Sequence, residues 1–441
     1  MKEKIMRTLP LTITIVTIAL LVTVLSGMAQ TSNSSDATLE QTAERFFQSI
    51  VEGKPATAFQ EFEMSAAIRS LIQTGGSTIL PAINRQFGGV GELQKKQIVQ
   101  LTPQTRSVEL CYSGKTDSFK VRITFQEKNQ IGGIHILPWT AEQPHGGTPI
   151  QLETPTGTIY GTLLEPEQTT KPMPVVLILA GSGPTDRNGN NQFTLQTNAY
   201  RLLAEALQAN GIASVRFDKR AIGASAAAGA DESKLHFDHL VDDTVRWIEL
   251  LSQDKRFSKI VVLGHSEGSL IGMLACIQSN KAAGFISLCG PGKPIDEVIR
   301  EQYTGQPQSV KDTLFPILDA LKQGKTVEKV PDVLLSIVRP SVQPYMISWM
   351  KYDPRTEIQK LTIPVLIVQG TTDIQVSIAD AEKLSEANPK AKKVIIKDMA
   401  HALKKSASAT ALSQQSSYTD PKLPLHEDLM PNITEFIAGI K

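Results

Sequence analysis

An α/β fold with a doubly wound, mostly parallel sheet and a helical cap insertion, preceded by a small α+β domain, is what this 441-residue sequence predicts. Short runs that are apolar at nearly every position recur at 175–179, 213–217, 260–263, 284–288, 364–368 and 393–396. Strands covered on both faces by crossover helices have that composition. Stretches with helical spacing fit between them at 198–210, 237–251, 267–278 and 378–387, and this alternation selects a doubly wound sheet. Nearer the N-terminus the order differs, with helices first and alternating runs after them.

Taken from the start, Lys2, Lys4 and Arg7 precede an apolar stretch over 9–25, and Gly27 and Ala29 put small residues where signal peptidase reads. The pattern predicts a signal peptide over 1–29, cleaved after Ala29, and a secreted or periplasmic protein with no stable membrane association after cleavage. The alternative is an uncleaved N-terminal anchor, because an apolar stretch of about 17 residues lies at the lower limit of a membrane span. Residues 30–38, rich in Ser, Thr and Asn, read as a flexible tether.

The small α+β module is predicted over 39–138. Ala43, Phe46, Phe47 and Ile50 share one helical face, which Gly53 to Pro55 ends, and a second helix is expected at 56–62. Strands are expected at 107–112, 118–126 and 130–136, between the breaks Ser113-Gly114 and Lys128-Asn129. Residues 139–149, with Pro144, Gly146 and Gly147, read as a linker. The α/β domain, 150–441, opens on a hairpin of 150–153 and 158–164 around Pro155-Thr156-Gly157. Its alternation is interrupted over 294–362 by helical stretches broken at Pro307, Pro316, Pro331, Pro340 and Pro344, too long for a loop and therefore a cap.

Composition removes several function classes. Lys and Arg number 45 against 44 Asp and Glu, a formal net charge of +1, so no overall field favours nucleic acid. The cysteines, Cys111, Cys276 and Cys289, form no CxxC pair. They suggest small buried hydrophobes rather than a zinc site or a disulfide framework. Nothing in the sequence fixes an oligomeric state.

Chemistry concentrates at Gly264-His265-Ser266-Glu267-Gly268, directly after the run 260–263 and directly before a helix. So sharp a turn strains the backbone at the central serine, and the flanking glycines are needed where a Cβ would meet the neighbouring strand or helix. Here the chain resembles the α/β-hydrolase superfamily, and within it the bacterial carboxylesterase and serine-aminopeptidase-like branches, over 150–441. The 39–138 module resembles the small nuclear-transport-factor-like or cystatin-like modules found ahead of some secreted bacterial hydrolases.

The superfamily order is Ser, acid, His. Run 364–368 leads into Gln369-Gly370-Thr371-Thr372-Asp373, and run 393–396 into Lys397-Asp398-Met399-Ala400-His401. All three candidates thus leave strands at the edge where such sheets carry their sites. The resemblance implies Ser266 as nucleophile, His401 as general base and then acid, and Asp373 as the group orienting it, with Asp398 the rival acid. For the oxyanion it implies the main-chain N–H of Glu267 and that of Ser182, in Ala180-Gly181-Ser182-Gly183-Pro184. Ala180 stands where many relatives carry His, and the HGGG stretch of the hormone-sensitive-lipase-like branch is missing. The segment Thr185 to Asn190 resembles a loop bracing the oxyanion hole, Asp186 and Arg187 having a substrate role as the alternative. Asp218 to Ser225 resembles the superfamily's D-x-R-G-x-G-x-S loop, with Ala221 at the first glycine.

Around these sit residues with blander readings. His265 packs beside the elbow, and Glu267 is favoured at a helix start by the dipole, its N–H being the part the reaction uses. His236, Asp238 and His239 form a solvated helix start, not a metal site. The lysines of 390–405 form a solvated edge.

The predicted activity is a serine carboxylesterase acting on a small-molecule ester through a Ser-Asp-His triad and an acyl-enzyme, with no metal or organic cofactor. One alternative is a peptidase or amidase, which would need a cap acid such as Glu297, Glu301, Asp312 or Asp319 to hold a substrate amine. The other is an inactive hydrolase-fold binding protein in which the N-terminal module does the work.

Overall fold

The structure, a computed structural model, describes residues 34–53, 59–102, 105–116, 118–126, 129–139, 146–167, 171–191 and 195–441. The expected signal peptide and its cleavage point, the start of the tether, the opening of the helix expected at 56–62 and the middle of the expected linker lie outside these. Among the described residues no helix is long and apolar enough to cross a membrane.

The first helix, α1 (Ser34–Val51), buries Leu39, Ala43, Phe46, Phe47 and Ile50 on one face, the spacing that a period of 3.6 demands. A second long helix, α2 (Ala66–Phe87), escapes sequence reading because Gly75, Gly76 and Pro81 lie within it. Its ends are well specified nonetheless: the Ser65 hydroxyl accepts the Ile68 N–H, and Gly88 closes it at φ 74°. Four antiparallel strands follow, β1 (Leu93–Thr102), β2 (Thr105–Tyr112), β3 (Phe119–Phe125) and β4 (Ile131–Pro138), paired in chain order. Strand β1, LQKKQIVQLT, is also unexpected, being too polar to read as a strand. Val108, Leu110, Phe119, Val121, Ile123 and Phe125 share a core with both helices. Alternation turns Glu109, Lys120 and Arg122 to the opposite face, where Glu109 stands across from Arg122.

The second sheet has eight strands in the order β12-β11-β10-β9-β7-β8-β6-β5. The hairpin β5 (Thr148–Thr154) and β6 (Gly157–Leu164) joins antiparallel at the β8 edge. Strands β7 (Met173–Leu179), β8 (Ala213–Phe217), β9 (Phe257–His265), β10 (Gly284–Leu288), β11 (Val365–Gly370) and β12 (Lys392–Ile396) run parallel. Both faces are buried. Leu177, Val215 and Val262 pack with Trp247 and Ile248, while Val176, Ile178, Val261 and Ile286 pack with Leu203, Leu207 and Ile433. This is the doubly wound α/β fold expected from sequence, its crossovers including α3 (Ala199–Ala209), α4 (Phe237–Ser252) and α5 (Glu267–Ser279).

Between β10 and β11 lie α6 (Ile295–Gln302), α7 (Gln308–Lys322), α8 (Leu335–Val338), α9 (Gln343–Trp349) and α10 (Pro354–Ile358). Of the prolines that break the sequence pattern, Pro307 caps α7, Pro344 sits in the first turn of α9, Pro331 and Pro340 open short 3-10 turns, and Pro316 lies inside α7. First-turn prolines lose no helical hydrogen bond. The insertion docks on the segment leading into α4. Trp349 stacks on Phe237 at 5.4 Å, the Ser348 hydroxyl accepts the Phe237 N–H at 2.7 Å, and Arg339 and Ser341 both hold Glu232.

Candidate active site

Ser266 sits at φ 55° and ψ −121° at the junction of β9 and α5, a backbone conformation that a residue with a Cβ rarely adopts. A Cβ at Gly264 would lie 2.1 Å from the Gly268 carbonyl oxygen, and one at Gly268 would lie 2.6 Å from that of Leu179. The turn therefore requires glycine at both predicted positions. The Ser266 N–H is held by the Leu288 carbonyl at 3.0 Å, which ties the turn to β10.

The structure pairs His401 with Asp373, not with the rival Asp398. His401 Nδ1 lies 2.7 Å from Asp373 Oδ2, with both side chains buried. Since an ionised carboxylate only accepts, Nδ1 carries the proton and Nε2 is left as the basic nitrogen. Burial pushes the Asp373 carboxyl up, but His401 and the N–H groups of Val376 and Gln375 outweigh it and hold the group below the usual range. Gln369 donates to the same Oδ2 at 2.9 Å. Asp398 lies on the loop before His401 at φ 60°, its own N–H accepted by Thr371 at 2.8 Å.

Cys289 is a residue whose site role sequence reading missed. It is buried, as expected of all three cysteines, but burial and a hydrogen bond to Asp373 push its thiol well above the usual range. Among the described residues, Cys289, His265 and His401 bring ligand-capable atoms within 4.8 Å of one another. Hydrogen bonds engage both nitrogens of His265 and Nδ1 of His401, so these side chains frame the His401–Asp373 pair.

His265 does more than pack. The Tyr200 hydroxyl accepts the Gly181 N–H at 2.9 Å, so its own proton goes to His265 Nδ1 at 2.8 Å, and His265 Nε2 donates to the His401 carbonyl at 2.9 Å. That chain needs a neutral imidazole. Burial, then the neighbouring His401, lowers its pKa to about 3. One buried line thus runs from the Gly181 loop to the backbone of His401. That loop lies against Ser266, since a Cβ at Gly181 would be 3.1 Å from the Ser266 Cβ.

Three successive residues after β8 hold three parts of the surroundings. Asp218 accepts the Arg187 N–H at 2.8 Å and its guanidinium at 2.7 Å. Lys219 donates to the Gly181 carbonyl at 2.6 Å and to Glu267 at 3.1 Å. Arg220 grips Asp243 on α4 through two nitrogens, at 2.8 and 2.5 Å. Asp186 and Arg187 are turned into the fold: Asp186 Oδ1 accepts the N–H groups of Asn188 and Asn190, and Arg187 is buried against Asp218 and Thr162. Burial raises the Asp186 carboxyl to about 6. Ala221, at the position of the missing glycine, adopts φ 71°.

Glu267 is more than a helix-start charge. Its side chain is buried between Lys219 and the Tyr345 hydroxyl, which donates at 2.6 Å from α9. Gly183 and the buried neighbours Ile222, Leu235 and Leu240 line a small cavity with these groups. His236 and His239 cap the start of α4, the His236 N–H meeting His239 Nδ1 at 3.2 Å.

Comparison with known proteins gives likenesses of three kinds: a family, a relative and solved structures. A family model described as serine aminopeptidase, S33, matches residues 193–405, a span that includes the elbow, Asp373 and His401. Esterase EstD of Thermotoga maritima is 29% identical over 220 residues, covering 48% of this chain and 49% of the relative, so the chain spans about half the length of the curated relative it matches. Among solved structures, Est1E from Butyrivibrio proteoclasticus is 15% identical with a TM-score of 0.43, covering 66% of this chain and 99% of that one. An esterase of Pyrococcus furiosus is 15% identical with a TM-score of 0.45, covering 69% and 96%. The sheet order and the elbow make the second unit an α/β-hydrolase fold, and the family match and the esterase relative support a hydrolase.

Proposed function

We propose that this chain is a serine carboxylesterase acting on small-molecule esters. The observation that carries the reading is the buried His401–Asp373 pair at 2.7 Å, tied at 2.9 Å through the His401 carbonyl to His265, the residue that precedes the strained Ser266. In the proposed cycle His401 Nε2 takes the Ser266 proton as Oγ adds to the ester carbonyl. The N–H groups of Ser182 and Glu267 receive the oxyanion. The C–O bond to the alcohol then breaks, the alcohol leaving with the proton from His401. Water, deprotonated by His401, adds to the acyl-enzyme and releases the carboxylic acid and free Ser266.

The choice of ester over a free-amine peptide is supported by the cap acids. Glu301 is held by Lys293, Asp319 by Arg300 at 2.6 Å, and Glu297 by Arg355 at 3.5 Å, while Asp312 accepts the Gln308 amide at 2.7 Å. Glu301, Asp312 and Asp319 are exposed and Glu297 is half-buried, and a carboxylate that captures a substrate amine in a covered site should instead be fully buried beside it.

The test is hydrolysis of p-nitrophenyl esters from acetyl to dodecanoyl, beside Ser266→Ala and a series of aminoacyl-p-nitroanilides. Ester turnover that disappears in the variant supports the reading. Cleavage of anilides alone would make the enzyme a peptidase, and failure of the wild type to react with a fluorophosphonate would reject it as a serine hydrolase. We further propose export by cleavage after Ala29; N-terminal sequencing of the protein made in a bacterial host should begin at Gln30, and retention of the 1–29 segment would reject this.

A further inference from the structure

We propose that Lys219 is a positioning residue for the oxyanion hole, held in place by the cap through Tyr345 and Glu267; the inference rests on the serine-hydrolase reading above. The Gly181 carbonyl, which receives the Lys219 ammonium at 2.6 Å, shares one peptide unit with the Ser182 N–H. In a planar trans peptide the two groups point in opposite directions. A cation fixed on the oxygen therefore aims the Ser182 N–H away from itself and holds that direction. It also draws electron density from the nitrogen and strengthens the donor. The preceding N–H, that of Gly181, is fixed from the other side by Tyr200 at 2.9 Å. The loop is thus held at consecutive peptide groups.

The second donor completes the relay. Glu267, whose N–H follows the nucleophile, accepts Lys219 through Oε2 at 3.1 Å and the Tyr345 hydroxyl through Oε1 at 2.6 Å. All three side chains are buried. Glu267 neutralises Lys219, so the site contains no unpaired ammonium, and Tyr345 makes the pair answerable to the seating of α9. Both oxyanion donors and the cap are therefore joined through two charges and one hydroxyl. Lys219 does not touch the reacting atoms; it acts through the Gly181–Ser182 peptide.

A merely structural ion pair would affect how much enzyme folds, whereas a positioning relay affects how tightly each folded site binds the transition state. The test compares the full chain with Lys219→Met/Glu267→Gln, which removes both charges so that neither is buried alone, and with Tyr345→Phe, which leaves the ion pair intact. Sites are counted with a fluorophosphonate, and kcat and KM for p-nitrophenyl acetate are set beside the inhibition constant of a trifluoromethyl ketone, which forms a tetrahedral adduct on serine. The double variant should lose about 10- to 100-fold in kcat per titrated site with KM within about twofold, the ketone weakening by the same factor, and Tyr345→Phe should lose about threefold in both. Wild-type kcat and ketone affinity per titrated site in the double variant would overturn the proposal. Should that variant not fold, unchanged values in Tyr345→Phe would overturn it alone. A wild type that neither hydrolyses the ester nor binds the ketone would instead refute the hydrolase reading.

Discussion

The N-terminal sheet and the surroundings of Ser266 each bury a glutamate against a cation, and the two arrangements differ in reach. Glu109 faces Lys120 at 3.0 Å and Arg122 at 2.8 and 2.5 Å, partners on the adjacent strand. Glu267 joins a lysine 48 residues away and a tyrosine 78 residues away, on different elements. The first network stays within one sheet, Gln97 on β1 also donating to Glu109 at 3.0 Å. The second spans the loop after β8, the Ser266 turn and the cap, so on the reading proposed above a change in it reaches the site. On that reading buried charge by itself does not mark function; convergence of distant segments on one peptide does.

Substitutions should separate the two regions, beginning with the largest effect. Ser266→Ala should reduce ester turnover by about 10⁵-fold or more, with the melting behaviour of the wild type. Residual turnover near the wild-type level would remove the nucleophile assignment. Asp373→Asn should cost on the order of 10⁴ in kcat, because Nδ1 of His401 would no longer be held as the protonated nitrogen. Asp398→Asn is the control and should remain within about twofold of wild type; the reverse ranking would exchange their roles.

Glu109→Ala should do the opposite, leaving kcat per titrated site unchanged while destabilising the N-terminal module. Removing one partner of a buried ionic cluster costs about 3–5 kcal/mol, visible as an early calorimetric transition or as new protease cleavage within 59–138. Its pH dependence has a definite sign. Burial raises the Glu109 carboxyl, but the charges of Lys120 and Arg122 and their hydrogen bonds outweigh it and hold it below the ordinary value of 4.5. Its stabilisation is therefore fully present above that value and disappears as pH falls through the lower folded one. The stability gap between wild type and Glu109→Gln should narrow on acidification below the ordinary carboxylate range; a gap that widens would mean that the charges are not what holds this face.

The smallest expected effect tests a departure from the family pattern. Ala221 occupies φ 71°, where glycine is favoured. Ala221→Gly should relieve strain and raise stability by up to about 1 kcal/mol, part of the gain being offset by the greater freedom of glycine in the unfolded chain. Gly223→Ala nearby should act in the other direction, since a Cβ there would lie 2.6 Å from Asp218 Oδ2.

What could be read from the sequence follows from how far each interaction reaches. Ser266 was legible because it follows its strand directly, and Asp373 and His401 because their strands end a few residues earlier. Helix α2 was not legible, its internal glycines and proline disguising a helix whose stability comes from packing Ile68, Ile72 and Ile83 on the sheet. Strand β1 was hidden by its polar residues, although it pairs with β2 along nearly its whole length.

By itself the sequence determined the doubly wound sheet, the elbow and the order of the triad candidates, because strand periodicity and the glycine requirement of a tight turn are local. Only the tertiary structure put Asp373 on His401 Nδ1, brought Cys289, Tyr200 and His265 around that pair, and joined Lys219 to Glu267 and Tyr345. Those are contacts between side chains far apart in the chain, and what selects them is that each polar group, once buried by the fold, must find its partner there.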